Sequence, residues 1–217
     1  GSYSETALAG VAAVNQIQFV YQQIILALGD GLVIFCSQYW GKRRIDPMKK
    51  ISSAAMRAAL VAAVVLFAAV SIFPYEAVRI FTEDVPIIEE GVGYLGIVRF
   101  TYLFFAVTQI LLASMRSVES VKIAFRLSVM TLLVNCGINY GLIFGHFGAP
   151  CMGAKGAAVG TLVARVLECV VLIWYVIKKD ETLRLRLKDY LSTDKVLVWD
   201  YIKIVVPILI VQGLWGV

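Results

Sequence analysis

Residues 12–38 read AAVNQIQFVYQQIILALGDGLVIFCSQ, and three residues later the chain runs into Gly41-Lys-Arg-Arg-Ile-Asp-Pro-Met-Lys-Lys50. The first stretch contains a single charged side chain, Asp30. An apolar helix needs about 20 residues to cross the hydrocarbon core of a bilayer, and this run exceeds that. The second stretch carries five basic residues and one acid. A long apolar run followed at once by a basic flank is the pattern of a transmembrane helix that ends at a charged membrane surface.

The same pattern recurs along the chain. Spans of sufficient length are expected at 54–73, 93–114, 123–144 and 154–177, and a sixth begins near Tyr201 and is cut off at Val217. Composition agrees, with 60% hydrophobic and 16% charged residues in 217 and a mean hydropathy of +0.82. Soluble domains run at about 45–50% apolar and about 25% charged, so a single aqueous core is excluded. The reading is an all-α polytopic membrane helix bundle whose main partner is the lipid bilayer. No secretory signal is legible, because the first apolar run is too long and lacks a basic leader.

Net charge is +5, from 20 Lys and Arg against 15 Asp and Glu, but position explains it better than nucleic acid binding does. Residues 74–91 hold Glu76, Glu83, Asp84, Glu89 and Glu90 against Arg79 alone. Arg116, Lys122 and Arg126 flank the third loop. Residues 146–153 have no Lys or Arg, and Lys155 lies just beyond. The fifth loop carries Lys178, Lys179, Arg184, Arg186, Lys188 and Lys195. Basic and non-basic loops alternate. The positive-inside rule then makes 41–50, 115–122 and 178–199 cytoplasmic and the chain start external. Leu183, Leu185, Leu187 and Leu191 interleave with the basic residues of the fifth loop. They fit either a surface-lying segment or a plain basic linker.

Polar residues at membrane depth each need a partner or a wet cavity. On span one, Asn15, Gln18, Gln22, Asp30 and Ser37 fall within roughly 120° at 100° per residue. They line either a cavity or an interhelical hydrogen-bonded seam. Asp30 is the sharpest of them. It binds a cation or proton, sits at a wet opening, or pairs with a buried arginine. On span four, Thr131, Asn135 and Asn139 recur at every fourth position, and Gly137, Gly141 and Gly145 do so about 200° away. The glycines suit close packing against another helix, leaving the asparagines to face something polar, either a Na+ or protonated group or a neighbouring helix. On span five, Thr161, Arg165 and Glu168 share a face, with Arg165 and Glu168 spaced for an ion pair. On span three, Arg99, Tyr102, Ala106 and Gln109 share a face, and Arg99 is placed to snorkel to the outer surface.

Enzyme chemistry finds little support. His146 is the single histidine, which excludes an HExxH zinc site. No GxSxG or GxxxxGK[ST] occurs. Ala27-Leu-Gly-Asp30 lacks the first glycine of an intramembrane aspartyl protease signature, and Asp200-Tyr201 is in the wrong order for its partner. Cys36, Cys136, Cys151 and Cys169 lack metal-ligand spacing and read as buried thiols. No cofactor is expected.

Three blocks resemble the multidrug and toxic compound extrusion (MATE) family. Gly31-Leu-Val-Ile-Phe-Cys-Ser-Gln-Tyr-Trp-Gly-Lys-Arg43 is similar to the end of the family's second helix. Asn135-Cys-Gly-Ile-Asn-Tyr-Gly-Leu-Ile-Phe-Gly145 is similar to part of its fifth helix. Gly148-Ala-Pro-Cys-Met-Gly-Ala-Lys-Gly-Ala-Ala-Val-Gly-Thr161 is similar to the start of its sixth, and Arg116 matches an arginine after its fourth.

The resemblance implies a twelve-helix transporter of two six-helix lobes, of which this chain supplies most of the N-terminal lobe. Residues 1–177 would form that bundle, 178–199 a basic cytoplasmic linker and 200–217 the start of the second bundle. The partners implied are helix 1 and the C-terminal bundle of the same protein, so the chain reads as a fragment. The implied function is secondary antiport in the plasma (cytoplasmic) membrane, exporting an amphipathic organic cation in exchange for Na+ or H+. Asn135, Asn139 and Thr161 match family ion-site positions, Asn139 standing where some members carry aspartate. They are the ion-coupling candidates together with Asp30. Asn15, Gln18, Gln22, Gln109 and Thr131 are the substrate-cavity candidates, and no metal is expected beyond Na+ at Asn135, Asn139 and Thr161. The competing readings are a flippase for lipid-linked precursors or polysaccharides and a truncated module that does not transport. A flippase would set several Arg or Lys side chains in its cavity to meet phosphates.

Overall fold

The computed structural model describes residues 2–119, 121–144, 153–178, 187–191 and 194–215. Helix α1 is Ser2–Trp40, α2 Ile45–Ile72, α3 Pro74–Arg79, α4 Val85–Val98, α5 Thr101–Arg116, α6 Val121–Phe144, α7 Gly153–Lys178 and α8 Lys195–Trp215. A short 3-10 helix, Leu187–Leu191, precedes α8. All regular structure among the described residues is helical. Four single helices are long and apolar enough to cross a membrane, namely α1, α2, α7 and α8, and α4 with α5 makes a fifth if the pair is one span. At 1.5 Å per residue, α6 is about 36 Å long, more than the ~30 Å hydrocarbon thickness.

Four spans differ from the sequence expectation at their ends, the first because α1 begins at Ser2 instead of near residue 12. Much of the first basic loop is helical, because Asp46 and Pro47 fit the opening turn of α2. Arg43 adopts a left-handed φ of 52° and lets the Arg44 N–H return to the Tyr39 carbonyl, which turns the chain tightly between α1 and α2. The third span begins at Val85 instead of 93, with Pro86 in its first turn, and it is not one helix. It breaks at Arg99–Phe100 and bends by 51°. There the Thr101 hydroxyl donates to the Val98 carbonyl at 2.6 Å and the Phe100 N–H reaches back only to Ile97. The sixth span starts at Lys195, where the Asp194 carboxylate accepts from the Val196 N–H at 3.1 Å and caps the helix. It is long enough to cross.

Helix α1 packs against α2, α4, α5 and α8, α7 against α5 and α4, and α6 chiefly against α7. Small residues set the closest approaches, as lipid-embedded helices require. A Cβ on Gly10 would stand 2.7 Å from the Gly91 nitrogen, so α1 and α4 meet backbone to backbone. Ala55, Ala59 and Ala63 recur every fourth residue on α2 and are fully buried. Tyr21 donates to the Tyr102 carbonyl at 2.7 Å, and Tyr201 donates to the Leu28 carbonyl at 2.6 Å, tying α5 and α8 to α1.

The first and fifth loops meet in three dimensions. At the basic end, Ser114 bonds Ser52 at 3.3 Å, Lys49 pairs with Asp189 at 3.1 Å, and Ser53 donates to the Tyr190 carbonyl at 2.6 Å. This docks the 3-10 helix of the fifth loop on α2, while residues 179–186, with Leu183 and Leu185, lie outside the described residues. At the other end Val78 packs on Gly91 and Lys155 on Gly93.

Candidate functional site

Helices α5, α6 and α7 enclose a cleft of about 410 Å³. Gln109 reaches it from α5, Thr131 and Asn135 from α6, and Thr161, Arg165 and Glu168 from α7. Residues predicted on three separate spans therefore converge on one space. Asn139 Nδ2 donates to Asn135 Oδ1 at 2.7 Å, one turn away on the same helix. Asn139 Oδ1 is buried and receives no hydrogen bond. It faces Gly160 of α7, where a side chain would collide with it. The Thr161 hydroxyl donates to the Ala157 carbonyl at 2.9 Å, which leaves its oxygen as an acceptor toward the cleft.

The helix faces differ from expectation in a specific way. The asparagine strip of α6, and not its glycine strip, meets α7. Gly137 has nothing within 4 Å of where a Cβ would stand, Gly141 is buried, and Gly145 lies outside the described residues. The close approach is made by glycine on the partner helix, where Gly156 and Gly160 are both buried. That Gly-xxx-Gly spacing is present in the sequence and is the signal that could have located the contact. Cys136 is exposed on α6, unlike the buried Cys36 and Cys169, while Cys151 and His146 lie outside the described residues.

Arg165 Nη1 pairs with Glu168 Oε2 at 2.8 Å, as their spacing predicted. Phe105, which sequence reasoning missed, lies with its ring centre 5.2 Å from the Arg165 guanidinium carbon. Ser128 is a further lining residue not anticipated.

Other candidates sit elsewhere. Asp30 belongs to a cluster at the α1, α5 and α8 junction, where Gln212 donates to it at 3.3 Å and Arg116 stands at 3.9 Å. Both side chains are partly open, 37% exposed for Arg116 and 42% for Asp30, so the arginine beside Asp30 is not a buried one. Asn15 is exposed and Gln18 and Gln22 are half-buried on α1, and none of the three lines the cleft. Arg99 lies against two aromatic rings. Its guanidinium carbon lies 5.6 Å from the Phe67 ring centre and 5.2 Å from that of Phe100, beside the bend in the third span.

No group of three or more His, Cys, Asp or Glu able to hold a metal ion occurs among the described residues. The cleft offers instead neutral oxygens from two amides, Gln109 and Asn135, and three hydroxyls, Ser128, Thr131 and Thr161, beside one balanced ion pair. That donor set can ligate a monovalent cation or accept hydrogen bonds from a protonated group, and it contains no nucleophile paired with a base.

Known proteins are similar to this chain in fold and, more distantly, in sequence. The chain is 25% identical over 182 residues to the "Probable multidrug resistance protein NorM" of Thermotoga maritima, covering 83% of this chain and 39% of that protein. It is 25% identical over 207 residues to the "Probable multidrug resistance protein YoeA" of Bacillus subtilis, covering 93% and 44%. It thus spans less than half the length of these relatives. A solved outward-facing multidrug resistance MATE family transporter of the MOP superfamily matches with a TM-score of 0.83 at 16% identity, over 94% of this chain and 45% of that one. A MOP superfamily transporter from Pyrococcus furiosus matches with a TM-score of 0.83 at 16% identity, over 94% and 44%. These two establish the helical fold. The sequence model of the MatE family matches residues 1–141, well over half of the chain, and the protein is a member of that family.

Proposed function

We propose that this chain is part of a secondary active antiporter of the cytoplasmic membrane, which exports amphipathic organic cations in exchange for inward Na+ or H+. The observation that carries the reading is the meeting of Asn135 and Thr161 at one cleft, with the buried Asn139 Oδ1 unpartnered against Gly160 one turn beyond Asn135 and outside the cleft lining. An acceptor buried without a donor carries a desolvation penalty of about 1–3 kcal/mol, which a bound cation or protonated group would relieve. The relatives' names as multidrug resistance proteins support export of organic compounds. Basic loops gathered at one end support a cytoplasmic assignment for that end.

In this reading residues 1–177 act as one bundle, 178–199 as a linker, and 200–217 open the second bundle. One charge moving down 100 mV supplies about 2.3 kcal/mol, enough for a concentration ratio of roughly 50 for a neutral substrate. For a monovalent cation exchanged one for one, the potential cancels and the ion gradient alone does the work. The flippase alternative is less well supported, because Arg165 is the single basic side chain among the described residues lining the cleft and it is already paired.

The test is transport by the full-length transporter in proteoliposomes under imposed pH and Na+ gradients. At least one gradient should drive efflux, and Asn135→Ala and Asn139→Ala should each abolish ion-dependent transport while the protein stays folded. Efflux under neither gradient refutes antiport. Coupling retained in both variants places the ion site elsewhere.

A further inference from the structure

Between Glu90 and Arg116, Arg99 is the single charged residue, and it stands at the 51° bend where α4 gives way to α5. A charged side chain inside a membrane span calls for a partner. Among the described residues its contacts are the Phe67 and Phe100 rings, and its Nε is buried without an acceptor. No carboxylate of the acidic loop forms an ion pair with it among those residues. A ring attracts a guanidinium through its π face but offers the N–H groups no lone pair. The N–H donors lie in the guanidinium plane, so its edge remains able to take an anion while the rings stay in place.

The space beside Arg99 is open and apolar. A helical side chain covers the turn N-terminal to its own Cα, which for Arg99 is the turn that holds Gly96. Nothing lies within 4 Å of where a Gly96 Cβ would stand. Phe100 is 42% exposed, and Val64, one turn from Phe67 on α2, is 53% exposed. Helix α2 has 28 residues and is about 42 Å long, so its ends reach the headgroup level of a ~30 Å hydrocarbon core. Phe67 is about 7.5 Å inside the Ile72 end, the end that leads into the acidic residues 74–91. A guanidinium at that depth can reach headgroups while its neighbours meet lipid chains.

We propose that Arg99 binds the phosphodiester of a glycerophospholipid in the leaflet opposite the basic loops, with the acyl chains lying along Phe100 and Val64. The notch at Gly96 admits the phosphate, the two rings hold the guanidinium, and the buried Nε gains the acceptor it lacks. A single cation on an exposed apolar face at this depth matches an anion that carries its own chains. A bare phosphate would leave Phe100 and Val64 uncovered. Such a site is independent of which ion or substrate the transporter moves.

The experiment photolabels purified full-length transporter with phosphatidylglycerol carrying a diazirine in an acyl chain, and maps the crosslinks by peptide. Labels should fall on the peptides that hold Val64 and Phe100. Unlabelled phosphatidylglycerol should compete, whereas diacylglycerol with the same chains and inorganic phosphate should not. Arg99→Gln and Gly96→Leu should each lower labelling there at least about tenfold, while labels at the basic end persist. Gly96→Leu fills the notch but keeps the cation and both rings, which separates occupation of the notch from loss of charge. Wild-type labelling in either variant overturns the proposal. So does competition by diacylglycerol, which needs no phosphate contact, or by inorganic phosphate, which makes the site one for a free anion. Absence of label on these peptides in wild type also overturns it, because another part of the transporter then covers the notch. If Arg99→Gln does not fold, Gly96→Leu decides alone.

Discussion

Replacing Gly160 by alanine should destabilise the α6–α7 contact even though alanine is the better helix former. The new Cβ would overlap Asn139 Oδ1 and stand 3.2 Å from Asn139 Cγ and 3.3 Å from Ile138 Cγ2. Asn139 cannot turn away freely, because its Nδ2 is bonded to Asn135 at 2.7 Å. Either that bond breaks or the helices separate. Overpacking costs about 1–3 kcal/mol and a lost hydrogen bond about 0.5–1.5, against which alanine returns about 1 kcal/mol of helix propensity. The net expectation is a loss of about 1–3 kcal/mol. Thermal unfolding of the full-length protein in mild detergent reads it, and the control is a double-mutant cycle with Asn139→Ala. Once the carboxamide is gone the overlap is gone, so Asn139→Ala/Gly160→Ala should be no less stable than Asn139→Ala alone. Strict additivity in the cycle, or a Gly160→Ala protein as stable as wild type, would refute the steric argument.

The packing elsewhere sets two more expectations. Gly10→Val should prevent α1 and α4 from meeting at Gly91, where the obstacle is backbone that cannot rotate aside. A loss of about 3 kcal/mol or more in unfolding stability is expected, and wild-type stability would show that the helices do not depend on this approach. Ser53→Ala removes its hydrogen bond to the Tyr190 carbonyl and the one it accepts from Arg57 Nη2 at 2.8 Å, while Arg57 Nε still donates to that carbonyl at 3.2 Å, so global stability should fall by about 1–3 kcal/mol, at about 0.5–1.5 for each bond. Faster amide hydrogen exchange confined to residues 187–191 is the expected signature, and unchanged exchange there would count against docking through this bond.

Much of the fold was legible because its causes are local. Apolar run length located the spans at 12–38 and 154–177 to within a few residues at most ends, and α1 and α7 contain them. Other boundaries were shifted by residues that tolerate either loop or helix. Pro86 and Pro47 open helices where an acidic and a basic loop were expected, since a proline's missing N–H costs nothing in a first turn. The bend at Arg99–Phe100 has no proline or glycine at the break and was invisible. It depends on a threonine hydroxyl competing for a backbone carbonyl.

At the site, hydrogen-bonding character and helical spacing selected Asn135, Asn139, Thr161, Gln109 and Thr131, and the i, i+3 spacing selected Arg165 with Glu168. The sequence by itself thus determined the helical membrane class of the chain and which side chains on its long apolar helices are polar. Only the tertiary structure decided that Asn139 meets Gly160, that Phe105 shares Arg165 with Glu168, and that Asp30 is held by Arg116 and Gln212 away from the cleft. Hydropathy cannot supply that azimuth. Lipid tails are as apolar as leucine, so the face that turns inward is chosen by close packing of small residues and by polar groups finding partners, and both depend on the helix opposite.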